Sequence, residues 1–214
     1  MEGTSILVTA SEFITNGGVF MWVILGVWIF GVAIAIERIT KLKKFDVDGP
    51  SFMNEIQRYV LSNDIQGAIR VCSGSIAALP KVLMSGLKRG SQGPDQIQNA
   101  LDATALEVVP KVEMRLNYLE LVANISTLFG LLGTIQGLIA TFAAVADVDP
   151  AQKAELLAAG ISQAMNTTAL GLFSAITIMI IHAFLSNKAD KVINEIDEFS
   201  VKLLDLLGTK EKSE

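Results

Sequence analysis

The chain has 214 residues, of which 51% are hydrophobic and only 18% are charged, and its formal net charge is −5. Ordinary soluble domains carry about 25% charged residues, so this composition and a mean hydropathy of +0.48 exclude a typical soluble protein. Three stretches, 17–36, 121–146 and 156–187, contain no Asp, Glu, Lys or Arg. Each of them reaches or exceeds the length of about 20 residues that a helix needs to cross a hydrocarbon core.

The sequence therefore predicts an all-α integral membrane protein with three transmembrane helices and long cytoplasmic helical extensions. Soluble proteins with long buried helices are the alternative, but such helices rarely contain so many consecutive uncharged residues. The predicted segments are an outer N-terminal segment (1–16), transmembrane helix 1 (17–37), a cytoplasmic helical domain (38–118), transmembrane helix 2 (119–146), a periplasmic loop (147–156), transmembrane helix 3 (157–186) and a cytoplasmic helix and tail (187–214).

The orientation of these spans follows from the basic residues, because Lys and Arg are enriched on the cytoplasmic side of membranes. Four basic residues follow the first span closely, beginning with Arg38, whereas Lys153 is the only one between the second and third spans. The N-terminus is thus expected outside and the C-terminus in the cytoplasm. The single Cys72 then lies on the cytoplasmic side, where no disulfide is expected.

Apolar stripes continue the helical pattern outside the membrane. The first span ends in Ile36, Glu37 and Arg38, whose charges are expected to reach the lipid headgroups. A stripe before span two predicts one long helix that enters the membrane with a kink at Pro110. A stripe after span three predicts an amphipathic helix that needs a partner. The two stripes are Ile97, Leu101, Ala105, Val108, Val112, Leu116 and Leu119, and Val192, Ile196, Phe199, Leu203 and Leu206.

Small residues on one face of span two predict close helix packing. Helices in lipid associate through close backbone approach rather than through the hydrophobic effect, and small residues permit that approach. The face contains a GxxxG pair and further small residues in register. Its members are Gly130, Gly133, Gly137, Ala140 and Ala144.

Polar residues inside spans two and three predict a polar interior or a hydrated path. Hydroxyls that bond the carbonyls of their own helix are the alternative for any single residue. Thr134 precedes Asp147, at the outer end of span two, by as many positions as Thr168 follows Glu155, at the outer end of span three. Both are therefore roughly 20 Å below the outer surface, and in antiparallel helices their hydroxyls share one level. The other polar residues are Thr127, Thr141, Ser162, Gln163, Asn166, Thr167, Ser174 and Thr177.

Two motifs resemble the MotA/TolQ/ExbB proton channel family. The segment 130–137, GLLGTIQG, is similar to the family signature GLxGTVxG. The segments 160–165, GISQAM, and 168–173, TALGLF, which includes Gly171, are similar to the motif GIxEAL…TALGLF. Glu37 and Arg38 also match the family pattern, and three spans resemble the ExbB and TolQ branch more than MotA.

The resemblance implies a homo-oligomeric ring, a pentamer, in a bacterial inner membrane. The ring would enclose a single-span partner similar to ExbD or TolR, whose membrane aspartate carries the ion past Thr134 and Thr168. Residues Gln163, Thr167 and Thr141 are assigned to the same ion pathway, and Gly130, Gly133, Gly137 and Gly171 to helix packing. Ion flow would drive a motor that delivers work to the cell envelope, with lipid as a further partner.

Two departures from the family pattern leave the transported ion, proton or sodium, open. Gln163 replaces the family's glutamate, and Thr177 replaces a proline of the third span. His182 follows Thr168 on the same helix face near the cytoplasmic end, so it is either a proton relay or an interfacial histidine with an ordinary hydrogen bond.

Enzyme chemistry has little support, because the sequence has one His, one Cys, no glycine-rich phosphate loop and no metal-ligand spacing. We expect no cofactor, no metal and no nucleic-acid partner. The alternatives to a motor subunit are an autonomous ion channel or transporter, which would need an ionisable group within the spans, and a non-conducting membrane scaffold.

Overall fold

The computed structural model describes residues 18–146 and 148–211, and all regular structure within them is α-helical. The predicted outer segment 1–16 lies outside the described residues. The helices are α1 (Val19–Phe45), α2 (Gly49–Leu61), α3 (Ile65–Ser73), α4 (Ala78–Leu87), α5 (Pro94–Glu113), α6 (Leu116–Ala146) and α7 (Pro150–Glu211).

Three helical stretches among the described residues are long and apolar enough to cross a membrane. Their most apolar windows have mean hydropathies of 2.6, 1.8 and 2.0, and the stretches contain α1, α6 and α7 respectively. Large apolar side chains such as Phe30, Leu128 and Phe184 are 58%, 63% and 65% exposed. A soluble surface rarely displays so much apolar area, so these faces fit contact with lipid or another chain. The predicted all-helical fold with three apolar helices is confirmed.

Helix α7 begins at Pro150, inside the segment 147–156 that the sequence predicts as a loop. Proline is favourable in the first helical turn because its missing N–H has no partner there in any case. Within that segment the described residues outside the helix are Val148 and Asp149.

The helices divide into two compact units. The first, here called the spanning unit, comprises Met1–Ile36 and Asn117–Ala183, and the second unit comprises Glu37–Leu116 and Phe184–Glu214. In the spanning unit α1 packs against the other two apolar helices at Gly31. A Cβ atom there would lie 2.8 Å from Val122 Cγ1 of α6 and 2.9 Å from Ile178 Cδ1 of α7.

In the second unit the C-terminal part of α7 finds its partner within the same chain. Phe199 packs against the start of α2, where a Cβ at Gly49 would lie 2.6 Å from the Phe199 ring. Leu203 packs near Gly86 of α4, whose added Cβ would lie 3.3 Å from it. The stripe ends on Leu207, which is 6% exposed, and the predicted Leu206 beside it is half-buried. A step of four from Leu203 follows the helix period more closely than a step of three.

The helix predicted to run unbroken into span two is interrupted. Helix α5 continues through Pro110 to Glu113, and α6 starts at Leu116. Between them Met114 is extended, with ψ 130°, and Arg115 has a positive φ of 66°. The predicted unbroken helix is therefore wrong, and its interruption lies beyond Pro110, at Met114 and Arg115. A left-handed residue other than glycine is costly, so tertiary contacts must hold the break in place.

Arg38 supplies such a contact from the end of the first apolar helix. Its side chain is 0% exposed, so the expectation that it reaches the headgroups is wrong. The guanidinium donates to the carbonyl oxygen of Val112 and lies 3.5 Å from that of Lys111. These are among the last carbonyls of α5, which have no partner within their own helix. Beside it, Glu37 forms ion pairs with Arg115 and, at 2.7 Å, with Lys41.

Replacing Arg38 by Met should lower the melting temperature of the detergent-purified protein, because the carbonyls of Lys111 and Val112 lose a charged donor worth about 1.5–3 kcal/mol. Arg38→Lys should restore part of the loss, since an ammonium group is charged but lacks the planar fork. The exposed Lys43→Met is the matched control. Equal melting temperatures for Arg38→Met and Lys43→Met would contradict the assignment.

Cys72 should resist thiol reagents until the protein unfolds. The residue is 1% exposed, and burial raises the pKa of its thiol to about 12. The thiolate is the reactive form, so the folded protein presents almost none of it at about pH 8. Because folding keeps the thiol protonated, its contribution to stability is complete below about pH 8.5 and is lost as the pH rises toward 12. Labelling with an aromatic disulfide, with and without denaturant, measures the reaction rate of Cys72 in the unfolded and folded protein. Rapid labelling of the folded protein would refute the prediction.

Candidate functional site

Two glycines bring α6 and α7 into backbone contact in the spanning unit. A Cβ at Gly171 would lie 2.8 Å from the Cα atom of Gly130, and one at Gly130 would lie 3.2 Å from the Cα atom of Gly171. One turn further toward the loop Gly133 lies against Thr167, and a Cβ at Gly137 would lie 3.2 Å from the Ala164 Cβ. We call this contact the glycine seam. It aligns the two helices closely enough for short polar side chains to meet across it.

Thr134 and Thr168 meet at one edge of the glycine seam. Their hydroxyls form a hydrogen bond with each other. The Thr134 hydroxyl also lies 3.1 Å from the carbonyl oxygen of Gly130 and 3.5 Å from that of Ala164, and the Thr168 hydroxyl lies 3.2 Å from the same Gly130 oxygen. Two hydroxyl protons thus serve one hydroxyl–hydroxyl bond and one bond to a carbonyl, while lone pairs remain available for a further donor.

The other described threonines of these helices bond mainly to their own helix. Thr127 donates to Ala123 at 3.3 Å, Thr141 to Gly137 at 2.6 Å and Thr167 to Gln163 at 3.1 Å. These are the ordinary bonds of a helical threonine to the carbonyl four residues earlier. The pair at the glycine seam differs, because its hydroxyls also reach across to the neighbouring helix.

Apolar side chains surround the threonine pair. On α6 Leu131 and Ile135 are 56% and 49% exposed, and on α7 Met165 and Leu172 are 65% and 46% exposed. Positions three and four residues away share a helix face, so Leu131 flanks Thr134, and Met165 and Leu172 flank Thr168. The pair is thus a polar point within an exposed apolar surface, which is suited to contact with a further helix.

The structure separates the five residues that the sequence assigned to one pathway. Thr141, Gln163 and Thr167 line a cavity of about 720 Å³ that also borders Gly133 and Gly137 of the glycine seam, and neither Thr134 nor Thr168 is among its lining residues. Positions 163 and 168 are separated by about 140° around the helix axis, so they cannot share one face. The start of α1 borders this cavity: Gly18 has φ +78°, and a Cβ there would lie 2.7 Å from the Gln163 amide nitrogen.

His182 belongs to neither polar group. It is half-buried on α7 and does not line the cavity. The rise of an α-helix places it about 21 Å from Thr168 along the axis. Among the residues that the structure describes, no cluster of three or more His, Cys, Asp or Glu side chains could hold a metal ion.

Two structural roles were missed in the sequence. Trp28 of α1 donates its indole N–H to the Thr177 hydroxyl of α7 at 3.3 Å, and Thr177 in turn lies 2.5 Å from the Phe173 carbonyl. A polar residue at the family's proline position was the available signal. No sequence signal could have revealed the interhelical role of Arg38, because its partners are backbone carbonyls, which every residue carries.

A family model described as the MotA/TolQ/ExbB proton channel family matches residues 75–198. The match covers more than half of the 214 residues and includes the glycine seam and the threonine pair, so the chain belongs to this family.

Sequence similarity to individual proteins is consistent with this family. The chain is 27% identical over 191 residues to a putative biopolymer transport protein ExbB homolog of Methanothermobacter thermautotrophicus, covering 88% of this chain and 67% of that protein. It is 33% identical over 99 residues to the Tol-Pal system protein TolQ of Haemophilus influenzae, covering 44% of this chain and 43% of that protein. It is 39% identical over 82 residues to the biopolymer transport protein exbB1 of Vibrio cholerae, covering 38% of this chain and 36% of that protein.

Replacing Gly171 by Ala should destabilise the helix contact, because the new methyl group meets backbone rather than a movable side chain. Overpacking of this kind costs about 1–3 kcal/mol. Gly26→Ala is the matched control, since an added Cβ there would have no neighbour within 4 Å beyond its own stretch of helix. Thermal unfolding in detergent, followed by size-exclusion chromatography, compares the two; unchanged stability of Gly171→Ala would show that the seam is not a tight contact.

Proposed function

We propose that this chain is the channel-forming stator subunit of a motor driven by the proton-motive force, which delivers work to the cell envelope. It forms a homo-oligomeric ring, a pentamer, in a bacterial inner membrane, with its N-terminus periplasmic and its C-terminus cytoplasmic. A single-span partner similar to ExbD or TolR supplies the aspartate that carries the ion. Membership of a proton channel family and similarity to biopolymer transport proteins support this proposal.

The threonine pair is the observation on which the proposal rests. Two hydroxyls joined across the glycine seam offer both donors and acceptors to a group that approaches from the apolar surface. A protonated carboxyl can donate to a threonine oxygen, and a carboxylate can accept a proton that a threonine turns away from the Gly130 carbonyl. The same site therefore accommodates both protonation states of an aspartate without a charge of its own.

The ionisable group must come from another chain. Within 121–146 and 156–187, His182 is the only residue with an ionisable type of side chain, and neither segment contains Asp or Glu. A carboxylate in the hydrocarbon region requires polar partners, and the threonine pair supplies them at about mid-membrane depth. This requirement favours a subunit that works with a partner helix over an autonomous channel.

A closed ring accounts for the apolar surfaces that remain exposed on α6 and α7. Identical chains bury such surfaces most economically in a closed symmetric assembly, in which every copy makes the same contacts. The apolar side chains that flank the threonine pair would then face a central helix, and no catalytic group is needed for this function.

Thr134→Val and Thr168→Val should each preserve assembly but slow ion transfer. Valine keeps the shape of threonine and removes the hydroxyl, so the carboxylate loses a hydrogen bond worth about 1.5–3 kcal/mol, or roughly 10- to 100-fold in rate. The measurement is proton uptake by proteoliposomes that contain this chain and the partner encoded by a neighbouring gene, under an imposed membrane potential. Thr127→Val is the control, because that hydroxyl bonds the carbonyl of Ala123 in its own helix.

Different outcomes separate the alternatives. Wild-type flux through the double valine variant, at equal expression, would refute the role of the pair. Flux without any partner would establish an autonomous channel, and no flux under any ion gradient would favour a scaffold. Uptake of radioactive sodium in place of protons would change the ion but leave the site in place.

A further inference from the structure

The junction between α5 and α6 has a backbone conformation that its own sequence does not favour. Residues 111–116 include no glycine, proline, asparagine or aspartate, and five of the six are residue types with high helix propensity. A continuous helix through this stretch would also supply partners for the last carbonyls of α5 and the first N–H groups of α6. Instead Met114 is extended and Arg115 is left-handed, with φ 66°. Local preference and the observed backbone therefore oppose each other.

The Arg38 guanidinium occupies the acceptors that a continuous helix would use. It donates to the carbonyl oxygen of Val112 and lies 3.5 Å from that of Lys111. In an α-helix each N–H bonds the carbonyl four residues earlier, so these two oxygens would accept from the N–H groups of Arg115 and Leu116. The arginine side chain therefore competes with the backbone for the same two carbonyls.

A second contact from α1 acts on the left-handed residue itself. Glu37 forms an ion pair with Arg115, and it also pairs with Lys41 at 2.7 Å. The side chains of Glu37 and Arg115 are 33% and 45% exposed, so solvent weakens the attraction between them. The buried guanidinium of Arg38 is therefore the principal contact that opposes a continuous helix.

The contact between Arg38 and α5 is itself incomplete. The Nε atom of Arg38 is buried and has no hydrogen-bond partner among the residues that the structure describes. A buried donor without an acceptor costs free energy, which offsets part of the stabilisation from the other guanidinium contacts. The left-handed backbone of Arg115 adds a further cost to the broken arrangement. A continuous helix would avoid the cost at Arg115 but would lose the contacts of Arg38.

We propose that Arg38 and the α5–α6 junction form a two-state latch. With the guanidinium seated on the end of α5, the helices are separate, as in this structure. When a movement of α1 withdraws the guanidinium, residues 114 and 115 become helical and join α5 and α6 into one continuous helix. Two arrangements of one segment that are close in free energy can be exchanged by the loss of a few contacts. All residues of the latch belong to the second unit, and the latch does not depend on the proposed function.

Hydrogen exchange of the detergent-purified protein, followed by mass spectrometry, measures the state of the latch. The N–H groups of residues 115–117 bond carbonyls of α5 only in the continuous helix, and bonded helical amides exchange slowly. We expect Arg38→Met to slow exchange of these amides about tenfold relative to the wild type, which corresponds to a joined helix in roughly nine of ten molecules. Lys43→Met removes an exposed charge from the same helix and should leave the exchange rate unchanged.

A matched pair of substitutions tests whether helix formation causes the slower exchange. In the Arg38→Met background, Arg115→Ala and Arg115→Gly both remove the ion pair with Glu37. Alanine favours a helix and disfavours a positive φ, whereas glycine disfavours a helix and tolerates a positive φ. Exchange should therefore stay slow with Arg115→Ala and return to the wild-type rate with Arg115→Gly.

Three results would overturn the latch. An unchanged exchange rate in Arg38→Met would show that the guanidinium does not oppose the continuous helix. Faster exchange throughout α5 would show that the loss of Arg38 unfolds this helix instead of joining it to α6. Equal rates for Arg115→Ala and Arg115→Gly would show that the junction does not become helical. None of these measurements involves ion flux, so the proposed function is tested separately.

Discussion

The contact between the backbones of Gly130 and Gly171 is the constraint on which the spanning unit depends. Without side chains between them, α6 and α7 approach closely enough for Thr134 and Thr168 to share a hydrogen bond. The polar residues around this contact form two groups, the threonine pair and the residues that line the neighbouring cavity. In lipid such a contact has no hydrophobic drive, so it depends on complementary surfaces and is sensitive to a single added methyl group.

The local features of these helices could be predicted from the sequence, because they depend on composition and period. Uncharged runs predict the apolar helices, and depth along antiparallel helices places Thr134 and Thr168 at one level. The neighbours across each face could not be predicted in this way. Gln163 and Thr168 are both polar and close in sequence, yet the direction of the intervening seam puts them on opposite sides. That direction is set by which helix covers which face.

The break before α6 is a second feature that the local sequence does not predict. Pro110 is the residue with a known effect on helices, but α5 accommodates it, and the chain turns instead at Met114 and Arg115. The turn requires a left-handed arginine, an unfavourable state that local sequence does not favour. Its compensation comes from the buried guanidinium of Arg38, a residue far away in the chain. Tertiary contacts therefore decide the break.

The burial of Arg38 has a consequence for biogenesis. Val112, whose carbonyl accepts from the guanidinium, is synthesised 74 residues after Arg38. At about 5–20 residues per second, the ribosome needs roughly 4–15 s to produce it. During that interval Arg38 remains hydrated, and its charge is buried only when the end of α5 has been made. Synthesis of the first apolar helix and burial of its arginine are thus separate events in time.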